Sequence, residues 1–447
     1  MTNGTKLLSE ATDFAPVNSL LEEWSAFTIQ KRREAFKDLP RPQAEELFLR
    51  LGAPEQAELV SVITLLEKRS WLRLLAPDDM ADLLQEIDDD EERENAFALL
   101  DEATKREVTA LLAYEEDAAG GLMSSRFVRL RPEMFVDAAL RYMRVQARSK
   151  VETIYYAYVL DPSQQLLGVV SFRELFSAPS DEKVESVMRT NVIKVNDEMD
   201  QEDVSRIFSQ HDLMALPVVD DQGTMKGIVT IDDIVTVVEE EATEDIQKLG
   251  GLEALDAPYF STSFIEMIKK RAGWLVILFF GETFTASAMS HYEGAITKAV
   301  VLAVFIPLII SSGGNSGSQA STLIIRAMAL GQIKLKDWWR VFFKEIVTGM
   351  MLGLFLGALG LLKILFWPNT QSVYGEFYQL IGLTVGISLV GVVLLGSVTG
   401  SMLPFILKRF NLDPATASAP FVATLVDVSG LVIYFTVASI ILKGSLL

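Results

Sequence analysis

The chain has 447 residues, 22% of them charged, and a formal net charge of −20. So acidic a balance argues against nucleic acid and against anionic membrane surfaces as partners, because both repel it. There is no cysteine, which excludes disulfides and zinc–thiolate sites, and the two histidines, His211 and His291, stand too far apart to found a histidine-rich transition-metal site.

The charge is unevenly spread. From Lys269 onward 13 Lys and Arg face 7 Asp and Glu. That is about +6, and it leaves about −26 on the part before Lys269, an acidic half that suits divalent cations. The N-terminus, MTNGTKLLSE, lacks the basic-then-apolar pattern of a secretory signal, so this half is expected to stay in the cytoplasm.

From about Val17 to Tyr114 leucines and alanines recur at three and four residues, the spacing of amphipathic helices. Breaks at LPRP (Leu39 to Pro42), GAPEQ (Gly52 to Gln56) and LAPDD (Leu75 to Asp79) each precede a similar apolar start. The pattern predicts a superhelical stack of helix pairs. Asp78, Asp79 and Asp82 fall at a helix start, where carboxylates serve as caps; capping is the reading for Asp78, whereas Asp79 and Asp82 share a face.

An internal repeat follows. The segment from Gly121 matches that from Val184, and each copy continues into a strand, a turn and an apolar strand that leads into a helix: YYAYVLDPSQQLLGVVSFRELF, then LPVVDDQGTMKGIVTIDDIV. Two β-α-β-β-α units of this kind resemble a tandem CBS pair. That resemblance implies an adenine nucleotide, ATP, as a ligand, with Arg173 facing phosphate and Tyr158 on the neighbouring strand as candidates; Leu213, where an aromatic could stack on adenine, counts against it.

VVEEEATEDIQKLGG, Val237 to Gly251, is a nearly continuous acidic run and predicts a connector helix. Five apolar segments come next, roughly Ala272 to Ser290, Ala295 to Ser312, Val341 to Phe366, Leu380 to Leu407 and Ala415 to Leu442, each long enough for a bilayer core of about 30 Å. Lys269, Lys270 and Arg271 precede the first; Arg326, Lys334, Lys336, Arg340 and Lys344 lie between the second and third; Lys408 and Arg409 lie between the fourth and fifth. The positive-inside rule makes that side cytoplasmic and puts the C-terminus outside.

Two stretches of the membrane part carry polar chemistry. FIPLIISSGGNSGSQASTLIIRAMAL, from Phe305, sets Gly313, Gly314 and Gly317 in an apolar run, allowing either close helix approach or a broken helix, while Asn315 and Gln319 offer carbonyl oxygens from one face. DPATASAPFVATLVDVSGLVIY, from Asp413, holds Asp427 within an apolar run, where an ionised carboxylate is costly unless it is paired or lines a wet cavity. A cation site is the functional reading. Mg²⁺ keeps several of its waters, so one or two carboxylates beside carbonyls suffice for it. Glu282 is a second intramembrane acid that could face a pore, a subunit seam or a pairing partner. No Ser/His/Asp or phosphate-loop pattern points to an enzyme: GGNSGS lacks the Lys-Ser/Thr that a phosphate loop needs.

Taken together, the acidic helical part, the CBS pair, the ATEDIQKLG connector, the GGNSGSQ span and the final DPATASAPFVATLVDVSGLVIYF are similar to the MgtE-type magnesium transporters, in the same order over nearly the whole chain. The resemblance implies a multi-domain membrane protein: a cytosolic α-helical superhelical domain over 1–116, an α/β tandem CBS pair over 117–236, an acidic connector or plug helix over 237–268 and a five-helix transmembrane domain over 269–447. It implies a homodimeric Mg²⁺ channel of the plasma (inner) membrane, with Asp427 holding the hydrated pore ion and Asn315 lining the pore. It also implies gating by cytosolic Mg²⁺ at Asp79 and Asp82, at Asp200, Asp212, Asp232 and Asp233, and at Glu240, Glu241, Glu244 and Asp245. Alternatives are other divalent cations (Mn²⁺, Co²⁺) on the same architecture, or a non-conducting membrane sensor with CBS domains.

Overall fold

The computed structural model describes residues 15–24, 26–148, 151–255, 259, 262–368 and 370–446. The expectation about the extreme N-terminus lies outside the described residues. The chain divides into two compact units, residues 1–241 with 257–261, and 242–256 with 262–447.

The first unit opens with eight short helices: α1 Ala15–Trp24, α2 Ile29–Asp38, α3 Arg41–Arg50, α4 Ala53–Val62, α5 Leu65–Leu72, α6 Pro77–Gln85, α7 Asp90–Ala98 and α8 Glu102–Leu111. The sequence breaks become helix starts. A proline sits in the first turn of α3, α4 and α6, where its missing N–H costs nothing. Asp89 and Asp101 cap α7 and α8 by accepting from backbone N–H groups. Phe36, Phe48 and Trp71 pack ring on ring, with centroids 4.9 to 6.5 Å apart, at the centre of the stack.

A short helix, α9 (Ala119–Leu122), leads into the two repeats. The first holds β1 (Val128–Leu130), α10 (Val136–Gln146), β2 (Tyr156–Leu160), β3 (Leu166–Ser171) and α11 (Phe172–Ser177). The second holds α12 (Val184–Val187), β4 (Val195–Asn196), α13 (Gln201–His211), β5 (Ala215–Val219), β6 (Met225–Thr230) and the long α14 (Ile231–Leu249). Each sheet has three strands, in the orders β1-β2-β3 and β4-β5-β6, with the first pair parallel and the second antiparallel. Both hairpins shift register at the same place, between Val159 and Leu160 and between Val218 and Val219.

The repeats are laced together reciprocally. Ser124, ahead of β1, pairs with Ile228 of the second repeat through two backbone bonds of 2.8 and 2.9 Å. Arg189, ahead of β4, pairs with Val169 of the first through bonds of 2.8 and 3.0 Å. Gly168 and Gly227 make room for this: a Cβ on Gly168 would lie 2.8 Å from the Arg189 carbonyl oxygen, and one on Gly227 would lie 2.7 Å from that of Ser124.

In the second unit five helices are long and apolar enough to cross a membrane. They are α15 (Phe264–His291); α17 (Ile306–Ala329), which a short α16 (Glu293–Lys298) and a 3₁₀ turn (Val300–Phe305) precede; α18 (Trp338–Phe366); α20 (Tyr378–Arg409), after α19 (Thr370–Tyr374); and α21 (Ala419–Ile441). The expected second span stops too early. The polar GGNSGSQ motif does not break the backbone; α17 runs on as continuous helix to Ala329. Close packing explains this. A Cβ on Gly313 would meet Val392 at 2.4 Å and Val426 at 2.7 Å, and one on Gly400 of α20 would stand 2.0 Å from the Gly317 carbonyl oxygen. The small residues let three helices touch backbone to backbone, and Ser316 and Ser397 hydrogen-bond at 2.7 Å inside the contact.

Candidate cation sites

In the first unit α6 brings three carboxylates inward from its first two turns. Asp78 is correctly placed on the helix start but does not cap it: the N-cap is Ala76, the Asp78 side chain is 8% exposed, and its Oδ1 has no hydrogen-bond partner. An orphaned buried carboxylate oxygen costs several kcal/mol unless it is protonated or meets a cation.

Its neighbours are acids. Burial, then Asp79 and Glu152, push the Asp78 carboxyl well above the usual carboxylate range. Burial raises Asp79, with Asp232 adding to it. Asp82 is pushed up to about 7 by burial and then by Asp79, Glu116, Asp233 and Glu240. Asp233 also rises to about 7, mainly through burial and with Asp232 and Glu152 adding, although Thr230 Oγ1 donates to it at 2.8 Å and pulls the other way. Glu152 and Glu240 are raised for the same reasons, Glu152 by burial, Asp79 and Asp232, and Glu240 by burial, Glu116 and Asp117. Arg126 is near Glu152 but is bound to Glu107 at 3.0 Å.

The structure thus brings together Asp79, Asp82, Asp232, Asp233 and Glu240 of the expected set. It adds Asp78, Glu116, Asp117 and Glu152, which the sequence reading missed. Glu152 precedes the alternating YYAYVL strand as a lone acid, a weak signal that nothing in the spacing ties to α6. Asp200 caps α13 by accepting from the Glu202 N–H at 2.8 Å, and Asp212 ends that helix in a left-handed turn, φ 51°. Glu241 borders the set: it accepts from Gln201 Nε2 at 2.6 Å, and the same nitrogen reaches Asp117 at 3.5 Å. Among the described residues no group of three or more Asp, Glu or His side chains is arranged to hold a metal ion. An all-carboxylate set around an orphaned buried oxygen nonetheless suits a hard, hydrated cation in donor chemistry.

The expected nucleotide residues separate. Arg173 is exposed in the first turn of α11. Tyr158 is 1% exposed, edge-on to Phe127 at 5.7 Å, in a cluster with Met225 and Ile228 that joins the repeats. Its ring is core and cannot stack on a base; only its buried hydroxyl, which has no partner, is left for a ligand.

In the second unit Asp427 lies on α21, whose other face packs through Val422 and Val426 into the core shared with α17 and α20. Asn315 lies on the exposed side of α17, beside Gly314, where a Cβ would reach Ala423 of α21 at 3.4 Å. The two helices therefore carry the polar motif and the acid along one contact. Glu282 of α15 lies against the Asp427 carboxyl, and the close approach of Gly281 to Thr424, 2.6 Å for a Cβ, brings it there. Glu282 thus lies beside a second acid and not beside a basic partner.

The neck of α21 is tied down by polar bonds. Asp413 Oδ1 accepts from the Ala415 N–H at 2.8 Å, Ser418 accepts from Trp274 Nε1 at 3.1 Å, and Ser321 and Ser318 of α17 donate to the Ala417 and Ala419 carbonyls at 2.8 and 3.2 Å. The end of α14 belongs to this unit: Lys248 bridges Glu244 and Asp413, the latter at 2.7 Å, and Leu249 packs on Ala415 and Ala417.

Known families match along the chain in three blocks: an MgtE intracellular N domain over residues 15–117, CBS domains over 119–181 and 184–240, and a divalent cation transporter family, MgtE, over 306–437. The magnesium transporter MgtE of Thermus thermophilus is 40% identical over 442 residues, spanning 98% of this chain and 96% of that protein. The magnesium transporter MgtE of Enterococcus faecalis is 30% identical, spanning 92% of this chain and 96% of its own length. Among solved structures, the cytosolic domain of the Mg²⁺ channel MgtE in complex with ATP covers 52% of this chain and 94% of that one at 38% identity, with a TM-score of 0.48. On sequence likeness over almost its full length, the chain belongs to the MgtE family of magnesium transporters.

Proposed function

We propose that this transporter is a homodimeric Mg²⁺ channel of the plasma membrane, closed by cytosolic Mg²⁺. The observation that carries the reading is Asp427: a carboxylate partway along an apolar membrane helix, with Glu282 beside it and the Gly/Ser/Asn-rich face of α17 alongside. A charge there is costly unless it serves an ion path. Mg²⁺ that keeps most of its waters needs only such a carboxylate and nearby carbonyls, with Asn315 lining the route.

The gate in this reading is electrostatic. The acids around Asp78, Asp79, Asp82, Asp232, Asp233 and Glu240 repel one another when bare and are drawn together when a cation neutralises them. Glu244 and Asp245, further along α14, extend the acidic line toward the membrane part, and Asp200, Asp212 and Glu241 contribute to the surrounding field. High cytosolic Mg²⁺ favours the compact, closed arrangement; low Mg²⁺ releases it. The N-terminal domains face the cytoplasm and the C-terminus the outside, as the lysines and arginines require. ATP binds at the CBS pair through Arg173 and tunes the gate. The chain performs no covalent chemistry in this reading.

The test is current from purified full-length protein in a planar bilayer, wild type against Asp427→Ala, with Mg²⁺ on the cytosolic side stepped from nominally zero upward. Current that disappears as Mg²⁺ rises, and that the variant lacks, supports pore and gate together. No current from the wild type under any condition overturns the channel. A broader selectivity is the second reading, favoured by the divalent cation transporter family match; replacing Mg²⁺ by Mn²⁺ or Co²⁺ as charge carrier decides it.

A further inference from the structure

Lys248 stands in the last turn of α14, three-quarters buried, with Glu244 one turn behind it and Asp413 Oδ2 at 2.7 Å in front. Burial works against its charge, but the hydrogen bonds it donates to Asp413 and Glu244 outweigh this and hold the ammonium well above its ordinary range. It is therefore a fixed cation serving two anions.

Those two anions have different attachments. Glu244 lies on the acidic line of the connector helix. Asp413 is the first residue of the neck of the pore helix: its backbone carbonyl accepts from Thr416 Oγ1 at 2.6 Å, its Oδ1 holds the 3₁₀ turn Pro414–Thr416, and that turn delivers Ser418, the N-cap of α21. Asp427 follows eight residues after Ala419, about 12 Å along the helix. Serines 318 and 321 bond carbonyls of the same neck, so a shift of Asp413 reaches both helices that carry the polar path.

We propose that Lys248 is a positioning residue that transmits cation binding on the connector to the pore: Glu244 and Asp413 compete for one ammonium, and a divalent cation that engages Glu244 leaves Lys248 wholly to Asp413, tightening the neck of α21. This rests on the reading that cytosolic Mg²⁺ closes the pore and that Glu244 is among the acids it engages. Both anions are more than a third exposed, so the exchange redistributes one shared, half-buried ion pair and is not the loss of a buried charge.

Full-length protein is recorded in planar bilayers as wild type, Lys248→Gln, Asp413→Asn, Lys248→Arg and the exchanged pair Lys248→Asp with Asp413→Lys. Open-channel conductance is read separately from the cytosolic Mg²⁺ that halves the current. Lys248→Gln and Asp413→Asn are expected to keep wild-type conductance at low Mg²⁺ yet to need about tenfold more Mg²⁺ for closure, or to close incompletely, a change of about 1.4 kcal/mol in the gate. Lys248→Arg is expected to close as the wild type, and the exchanged pair to recover at least part of the lost block. Should Lys248→Gln fail to assemble, the near-isosteric Asp413→Asn decides alone. Closure of Asp413→Asn at the wild-type concentration overturns the proposal, as does a fall in its conductance with no shift in the Mg²⁺ dependence, the mark of a merely structural strap. If the wild type itself ignores Mg²⁺, it is the gating reading that fails, and the two failures are told apart in one data set.

Discussion

Both units of this chain set carboxylates among other charges, and they handle them in opposite ways. Around α6 at least six acids gather, and the nearby guanidinium, Arg126, is committed to Glu107. At the neck of α21 a single acid, Asp413, is answered by Lys248 on one oxygen and by the Ala415 N–H on the other. The first arrangement stores repulsion that a cation or proton can release; the second is satisfied as it stands and passes on whatever displaces it. A sensor wants the former and a linkage the latter.

The largest effect that could break this contrast is at Asp427. Asp427→Ala is expected to reduce Mg²⁺ current at least a hundredfold, about 3 kcal/mol or more of lost ion stabilisation, with unchanged thermal stability; bilayer recording and a melting curve on the same preparation check it. Asp82→Asn combined with Asp233→Asn removes the two acids held near 7 and is expected to abolish closure by Mg²⁺ while raising the metal-free melting temperature by several degrees, roughly 2–4 °C for each kcal/mol of relieved repulsion. A lower metal-free melting point in that double variant would mean the acids are paired rather than frustrated.

The pH dependence sharpens the same point. Asp82 and Asp233 have folded values raised from 3.8 to about 7, so their contribution is intact below about 4 and is lost as pH rises through 7. Metal-free protein is expected to lose stability between about pH 4 and 7 on this account, and Mg²⁺ to restore it. Protons compete with Mg²⁺ for these sites, so the Mg²⁺ needed for closure is expected to rise as pH falls below 7, by up to about tenfold per pH unit for each proton displaced. Dose–response curves at several pH values read this directly. The smallest expected effect is at Asn315, where replacement by Ala leaves the neighbouring helix contact at Gly314 intact and is expected to lower conductance about two- to threefold, on the order of half a kcal/mol.

Much of this architecture was legible in the sequence because each part announces itself by a local period: threes and fours in α1 to α8, alternation and a doubled motif in the repeats, long apolar runs in the membrane part. What escaped was set by packing between distant segments. The orphaned oxygen of Asp78 looks like a helix cap until the residues near Glu152 are brought over it. Tyr158 looked available because β2 is an apolar strand buried on both faces, and such a strand does not reveal which side a ring takes. The second span was cut short at its glycines because Gly and Ser lower helix propensity locally; Val392, Val426 and the Gly396 carbonyl, all from other helices, complete it. The two acids of the membrane part were visible as isolated charges in apolar runs, but their adjacency was not.

The crossed pairing of the two repeats bears on how either one could stand alone. Ser124 reaches into the second copy and Arg189 into the first at matching residues, beside matching glycines, and both hairpins bear the same bulge. One copy by itself has a leading segment with no strand to join and a hairpin edge with nothing along it. The two halves thus clasp each other as the subunits of a twofold dimer would, and a single half excised from the chain would expose both unpaired edges.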